Sequence, residues 1–480
     1  MNCPVFDWAQ REPERLALET PEGLCTYGEW NREIEHMVRA LAQRGVEAGQ
    51  QVALYGVAHR DYLNTLLALF RLGAVACPIN AAFPATYRDE RLAQLENTLL
   101  IADEAWGESM PTAVTFAALA DGESSADMEP AASGWQLADA AAIIFTSGST
   151  GTPKAAVLSL GNLYHNARLS NENIRLASGD NWLLSLPLHH VAGLGILFRS
   201  LIAGTTITIP AEQATLEESV ARSGVTHYSL VARQLARLLD HPDSQTLLSG
   251  VKAILLGGSA IPPGLLERAH AQGLPLFTSY GMTEMATQAT TTPAGADRQI
   301  LVSSGRPPLE GALRINPDGI IEVNGPCRFL GYWSAGKIDR PFDSEGWFTT
   351  GDRGYIDDEG MLHVTGRIDN MFIAGGENVQ PERIEAALCT LPGVRQAVVV
   401  PIPHESFGAT PVAFLEGTEV DDGSCRSQLE CLLPRHEIPG HFLPWPDGFA
   451  GGGMKIDRAA FQSEALRVLS EHESRSARHR

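Results

Sequence analysis

Residues 146–154 read TSGSTGTPK, with two glycines, five hydroxyl-bearing side chains and one lysine in nine positions. A stretch this small and polar turns tightly, and its amides and hydroxyls can converge on an oxyanion. It follows AAIIF (141–145), an apolar run of strand character. The best-known phosphate loop, G-x-x-x-x-G-K-[ST], needs Gly before the lysine and a hydroxyl after it. Here Pro153 precedes Lys154 and Ala155 follows it. The stretch therefore predicts a phosphate cradle of another kind, fed by a strand.

Outward from this loop, strand-like runs alternate with helical ones: QVALYGV (51–57), NWLLSLP (181–187), TTITIP (205–210), VTHYSL (225–230) and VKAILLGG (251–258). Such alternation predicts parallel sheets covered by helices. The polar stretch DGESSADMEPAASGW (121–135) reads as a connection. After about residue 310 the pattern changes to short runs around turn pairs, as in GALRINPDGIIEVNG (311–325), which predicts antiparallel hairpins. A further segment with its own strand and helix order begins near GRIDNMFIAGG (366–376). No internal repeat is visible, and the charged end SEHESRSARHR (470–480) predicts fraying.

The chain has 480 residues, too many for one ordinary core. A net charge of −21 argues against nucleic-acid binding, which needs clustered cations. No run of about 20 apolar residues would span a bilayer. The start, MNCPVFDWAQREPER, lacks the basic and apolar regions of a signal peptide. Seven scattered cysteines without a C-x-x-C pair predict reduced thiols in a cytoplasmic protein, not a zinc site.

Several other stretches carry chemistry. YGMTE (280–284) offers an aromatic face in Tyr280, a hydrogen-bond donor to phosphate in Thr283 and an oxygen ligand for Mg²⁺ in Glu284. LLGGSA (255–260) ends a strand in Gly257, Gly258 and Ser259, where a flat base can approach backbone. TTGD (349–352) presents Asp352 to ribose hydroxyls, and GRID (366–369) brings a cation, Arg367. Each alone is more often an ordinary turn with a solvated charge; the ordered set is not.

In that order, TSGSTGTPK, LPLHHVAG, YGMTE, FLGYW, TGD, GRIDNMFIAGGENVQPERIE and the lysine of GGGMKIDR resemble the adenylate-forming superfamily of acyl-CoA and aryl-CoA ligases. The likeness runs from residue 146 to residue 458. It implies an α/β fold with a large N-terminal domain (1–365) of helix-covered sheets plus a β-barrel-like subdomain. A hinge (366–370) and a small mobile α+β C-terminal domain (371–480) complete it. It implies that a carboxylate attacks the α-phosphate of MgATP and that the thiol of coenzyme A then displaces AMP. By position, Thr146, Ser147, Gly148, Ser149, Thr150, Gly151 and Lys154 would hold phosphates, and Gly257, Gly258, Ser259, Tyr280, Gly281 and Thr283 the nucleotide. Asp352 and Arg367 would hold ribose, Glu284 the magnesium, and Lys455 would bridge carboxylate and α-phosphate. Asp369 would be the pivot, with Gly375 and Gly376 lining the thiol's path. One departure is Met454, where the superfamily usually has Gly before its lysine.

Residues 182–204, LLGGSAIPP and FGATPVAF resemble more narrowly the branch that activates o-succinylbenzoate for menaquinone biosynthesis. Its acid is an aromatic dicarboxylate, so one carboxylate must be recognised while the other reacts. His190 and Gly281 stand near the expected acyl position. Arg199 and Arg233 are both candidate cations for the second carboxylate, and the sequence does not choose between them. Other aryl- or acyl-CoA ligases and a stand-alone carrier-loading enzyme stay open, as does a homo-oligomer.

Overall fold

The structure is a computed structural model and describes residues 1–82, 84–96, 98–105, 113–122, 134–146, 153–222, 224–404, 407–417, 422–447, 449 and 456–478. Two eight-stranded sheets carry the larger part. One has parallel strands Leu16–Thr20, Thr206–Thr208, Asn181–Leu183, His227–Leu230, Ala253–Leu256 and Leu276–Met282. Antiparallel strands Gly23–Thr26 and Thr287–Thr291 close its edges. The other has a parallel centre of Leu99–Ala102, Gln51–Tyr55, Val75–Ile79 and Ala140–Thr146. Lys154–Ser159 pairs antiparallel to Ala140–Thr146, putting Thr146 opposite Lys154. The stretch expected to cradle phosphate thus starts from one strand and ends on its antiparallel neighbour, not on a helix.

Helix Arg60–Leu72 is buried at every position from Tyr62 to Arg71, and helix Val191–Ala203 over most of its length. Both helices therefore lie inside the fold, and one apolar core draws on both sheets and both helices. Helix Leu160–Ile174 starts on a capping box in which Ser159 and Asn162 exchange hydrogen bonds.

The barrel-like subdomain is built on an antiparallel sheet of Leu313–Ile315, Ile320–Val323, Phe348–Ile356 and Leu362–Arg367. The hairpin Gly331–Ser334/Lys337–Asp339 instead extends the second large sheet through Lys154–Ser159. Beyond Arg367 a short turn, Ile368–Asn370, leads to a hairpin, Phe372–Ala374/Glu377–Val379. A three-stranded sheet of Val394–His404, Gly408–Gly417 and His441–Pro444 follows, with two cores of its own. Helices Pro381–Leu388 and Arg458–Arg478 pack on it.

Candidate functional site

The C-terminal ends of parallel strands are where open α/β sheets bind ligands. Thr146, Gly257, Gly258 and Tyr280 all stand at or just past such ends. The antiparallel register sets Asp352 directly opposite Arg367. Arg367 donates to one oxygen of Asp352 at 2.6 Å, and the Tyr280 hydroxyl donates to the other, also at 2.6 Å. Asp352 is 7% exposed. Burial raises its carboxyl above the ordinary range, while Arg367 and Tyr280 pull it down. Each carboxylate oxygen accepts two bonds, so each keeps capacity for a ribose hydroxyl. Arg367 also reaches Asp369 at 3.2 Å. Burial and the Asp352 charge hold the Tyr280 hydroxyl protonated, which fixes the ring's orientation.

Glu284 lies on the short turn Thr283–Met285. Its Oε1 accepts from the Tyr332 hydroxyl at 2.6 Å, and its backbone carbonyl from Phe329 N–H at 2.8 Å. Lys154 Nζ sits 5.2 Å from the centre of the Tyr332 ring. Lysine, tyrosine and glutamate thus form a row from the cradle hairpin to the YGMTE turn. Tyr332 is a residue that sequence reasoning missed; its signal was FLGYW, which by itself reads as core and turn. Gly281 is required where it stands, because a Cβ there would lie 1.9 Å from the carbonyl oxygen of Thr287. Among the described residues no three His, Cys, Asp or Glu cluster as a metal cage. A cation at Glu284 would take its other ligands from phosphate and water oxygens, which suits Mg²⁺.

The two candidate arginines, Arg199 and Arg233, lie in different surroundings. Arg199 is 1% exposed, in the interior of helix Val191–Ala203, while Arg233 is exposed at the start of helix Ala232–Asp240. The Arg199 guanidinium stacks 4.7 Å from the centre of the Trp182 ring and donates to Gln288 Oε1 at 3.2 Å. Among the described residues no carboxylate pairs with it, and burial pushes it down to about 9. Gly195 makes room for it, since a Cβ there would lie 3.1 Å from Nη1. Buried charges are normally paired. The chemistry of the position suits an anionic partner.

His190 caps the same helix, its ring 4.4 Å from that of His189. Burial and the neighbouring imidazole push His189 down to about 3. Ser259 is exposed beyond Gly258. Gly375 and Gly376 form the two-residue turn of the hairpin after Ile368–Asn370, both at positive φ, so the turn alone accounts for them. Ser147, Gly148, Ser149, Thr150, Gly151 and Lys455 lie outside the described residues. None of the seven cysteines is in a disulfide.

A family model described as AMP-binding enzyme matches residues 5–333. The 2-succinylbenzoate–CoA ligase of Escherichia coli (strain K12) is 35% identical over 461 residues, covering 96% of this chain and 98% of that protein. The structure of o-succinylbenzoate CoA synthetase from Bacillus subtilis in complex with the acyl-adenylate intermediate OSB-AMP superposes with a TM-score of 0.86. The identity is 29%, over 96% of this chain and 98% of that one. The Bacillus subtilis synthetase in complex with ATP and magnesium ion gives 0.81 at 30% identity, covering 92% and 96%.

Proposed function

The chain belongs to the family of AMP-binding enzymes, and from that premise we propose that it joins o-succinylbenzoate to coenzyme A at the expense of ATP. The observation that carries the choice of acid is Arg199, a buried guanidinium with no carboxylate beside it among the described residues. An acid with two carboxylates satisfies it with one and reacts through the other. A monocarboxylic acid would leave the cation unpaired, at a cost of several kcal/mol. The relatives named above act on the same acid.

In the first step an oxygen of the succinyl carboxylate attacks the α-phosphorus of ATP, the bond to the β-phosphate oxygen breaks, and pyrophosphate leaves. Two anions meet there, so fixed cations and donors must offset the charge that develops. Lys154 and the cradle from Thr146 to Gly151 hold the β- and γ-phosphates, and Thr283 donates near the α-phosphate. Lys455 bridges the carboxylate and the α-phosphate. Asp352 accepts from ribose, Arg367 steadies Asp352, and the Tyr280 ring supports the base beside Gly257, Gly258 and Ser259. Glu284, oriented by Tyr332, holds the magnesium, which supplies positive charge to the phosphates.

In the second step the sulfur of coenzyme A attacks the acyl carbon and AMP departs with the electron pair of the broken C–O bond. His190 and Gly281 border the acyl group. One lysine on a small domain cannot stay at the α-phosphate while a pantetheine arm enters. Residues 371–480 therefore turn about 366–370, with Asp369 as pivot and Gly375 and Gly376 along the thiol's path. The reaction takes place in the cytoplasm.

The test is pyrophosphate release over a panel of acids with MgATP, followed by thioester formation with coenzyme A. o-Succinylbenzoate is expected to be turned over in clear preference to benzoate, coumarate and octanoate. Equal turnover of benzoate or octanoate would remove the assigned acid and leave the adenylate-forming chemistry standing.

A further inference from the structure

Helix Leu160–Ile174 carries four asparagines, at 162, 166, 171 and 173. Asparagine is a poor residue for a helix interior because its amide competes for backbone groups. Here each amide reaches a backbone carbonyl of another segment. Asn162 donates to the carbonyls of Pro326 and Arg328 at 2.9 and 2.7 Å. Asn166 donates to those of Met285 and Gln288 at 2.9 and 2.8 Å. Asn171 donates to the carbonyl of Arg199, and Asn173 to that of Thr292, both at 2.9 Å.

The segment gripped by Asn166 is strained. Ala286 has φ 54° and Thr287 φ 139°, although neither is glycine. For a β-branched residue positive φ is an outlier, and it persists only where the surroundings over-determine it. Asn166 supplies that determination. Its two donors take the carbonyls on either side of the strained pair, and its Oδ1 accepts the Thr287 hydroxyl. The residue is 4% exposed, so water does not compete for these bonds.

The strained pair separates the two half-sites. On one side stands Glu284; on the other stands Gln288, which accepts from Arg199. The Glu284 carbonyl is also tied to Phe329, next to the stretch that Asn162 holds. We propose that Asn166 is a positioning residue. By clamping the strained turn 285–288 it sets the distance between the magnesium-side carboxylate of Glu284 and the acid-side pair Gln288–Arg199. Substrate carboxylate and α-phosphate then arrive in register. The inference rests on the roles proposed for Glu284 and Arg199.

Asn173, on the same helix but bonded to Thr292 outside the turn, is the control. Asn166→Ala and Asn173→Ala are compared with the unmutated protein by amide hydrogen exchange over residues 284–290 and by pyrophosphate-release kinetics. Both variants are expected to melt somewhat lower. Only Asn166→Ala should speed exchange across the turn, by about tenfold or more. Only it should raise KM for o-succinylbenzoate and for MgATP together, with adenylation slowed about a hundredfold, the cost of misplacing reactants by about 1 Å. Asn166→Ser keeps a single donor, should fall between the two, and carries the test if alanine prevents folding.

Unchanged exchange in the Asn166 variants overturns the clamp. Faster exchange with both KM values and the adenylation rate unmoved overturns its positioning role. Equal kinetic losses in Asn173→Ala would make the helix a plain structural support and overturn the inference as well. Failure of the functional reading looks different: the unmutated protein releases no pyrophosphate with this acid, while the exchange measurement still tests the clamp.

Discussion

The Asp352 cluster and the Arg199 pocket each shelter an arginine, and the two are satisfied in opposite ways. Arg367 meets carboxylates on both sides, Asp352 at 2.6 Å and Asp369 at 3.2 Å. Arg199 is far more deeply buried, yet among the described residues it meets an amide oxygen and an indole face and no carboxylate. The first region is assembled before any ligand arrives, so ligand adds hydrogen bonds to charges already balanced. The second is incomplete as it stands. A buried ion without its counter-ion weighs against folding, and such a cost is retained where the missing ion is the ligand. On the reading proposed above, the ribose is met by hydrogen bonds from a preformed cluster, whereas the acid is selected by charge.

The largest effect that could break this contrast is expected from Arg199→Met. Methionine keeps much of the length and removes the cation. The second carboxylate of the acid would then be buried unpaired, a loss of about 3–5 kcal/mol. That predicts a fall in kcat/KM for o-succinylbenzoate of roughly two to four orders of magnitude. Stability should move the other way, because an uncompensated charge leaves the interior, and Tm should hold or rise. A drop in Tm with activity retained would make Arg199 a structural cation and erase the contrast.

Asp352→Asn sharpens the same comparison from the other side. Asparagine keeps the shape and can still accept a hydrogen bond, but it withdraws the charge facing Arg367. That arginine side chain is 44% exposed and keeps Asp369, so solvent and a second partner absorb part of the loss. KM for MgATP should rise about tenfold, equivalent to about 1.4 kcal/mol. KM for the acid should stay nearly constant, and Tm should fall. Equal rises in both KM values would mean that the two regions are not separable in the way their charges suggest.

The two regions also differ in how far the sequence discloses them. TSGSTGTPK, TGD and GRID are local: turn residues and charges stand close together along the chain, so their chemistry can be read without tertiary contacts. Strand and hairpin positions followed for the same reason, from periodicity and turn pairs. The Arg199 pocket is not local. Its partners are Trp182 and Gln288, and its burial follows from both large sheets and helix Arg60–Leu72 closing around helix Val191–Ala203. Nothing in ILFRSLIAG separates a buried arginine from one that snorkels to solvent, which is why Arg233 stayed level with it. Tyr332 was hidden likewise, because its role depends on meeting Glu284 from 48 residues away. The asparagines of the helix after the cradle are visible as composition, but their carbonyl partners lie 28 to 166 residues distant.

The smallest expected effect concerns the histidine pair at the mouth of helix Val191–Ala203. Burial and the adjacent His190 push His189 down to about 3, against about 6.5 for an unperturbed imidazole. In the folded protein it is neutral where the unfolded chain would bind a proton. The stability tied to its neutral state is therefore fully present above about pH 6.5 and is lost as pH falls from there towards about 3. His189→Gln removes this proton uptake from the unfolded chain without introducing a charge. The Tm advantage of the unmutated protein over the variant should accordingly shrink between pH 7 and pH 4. Part of the acid sensitivity should survive, because burial also depresses His227 beside Trp182. Parallel Tm–pH curves for the two proteins would mean that His189 meets solvent in the folded state and takes up its proton there as readily as in the unfolded chain.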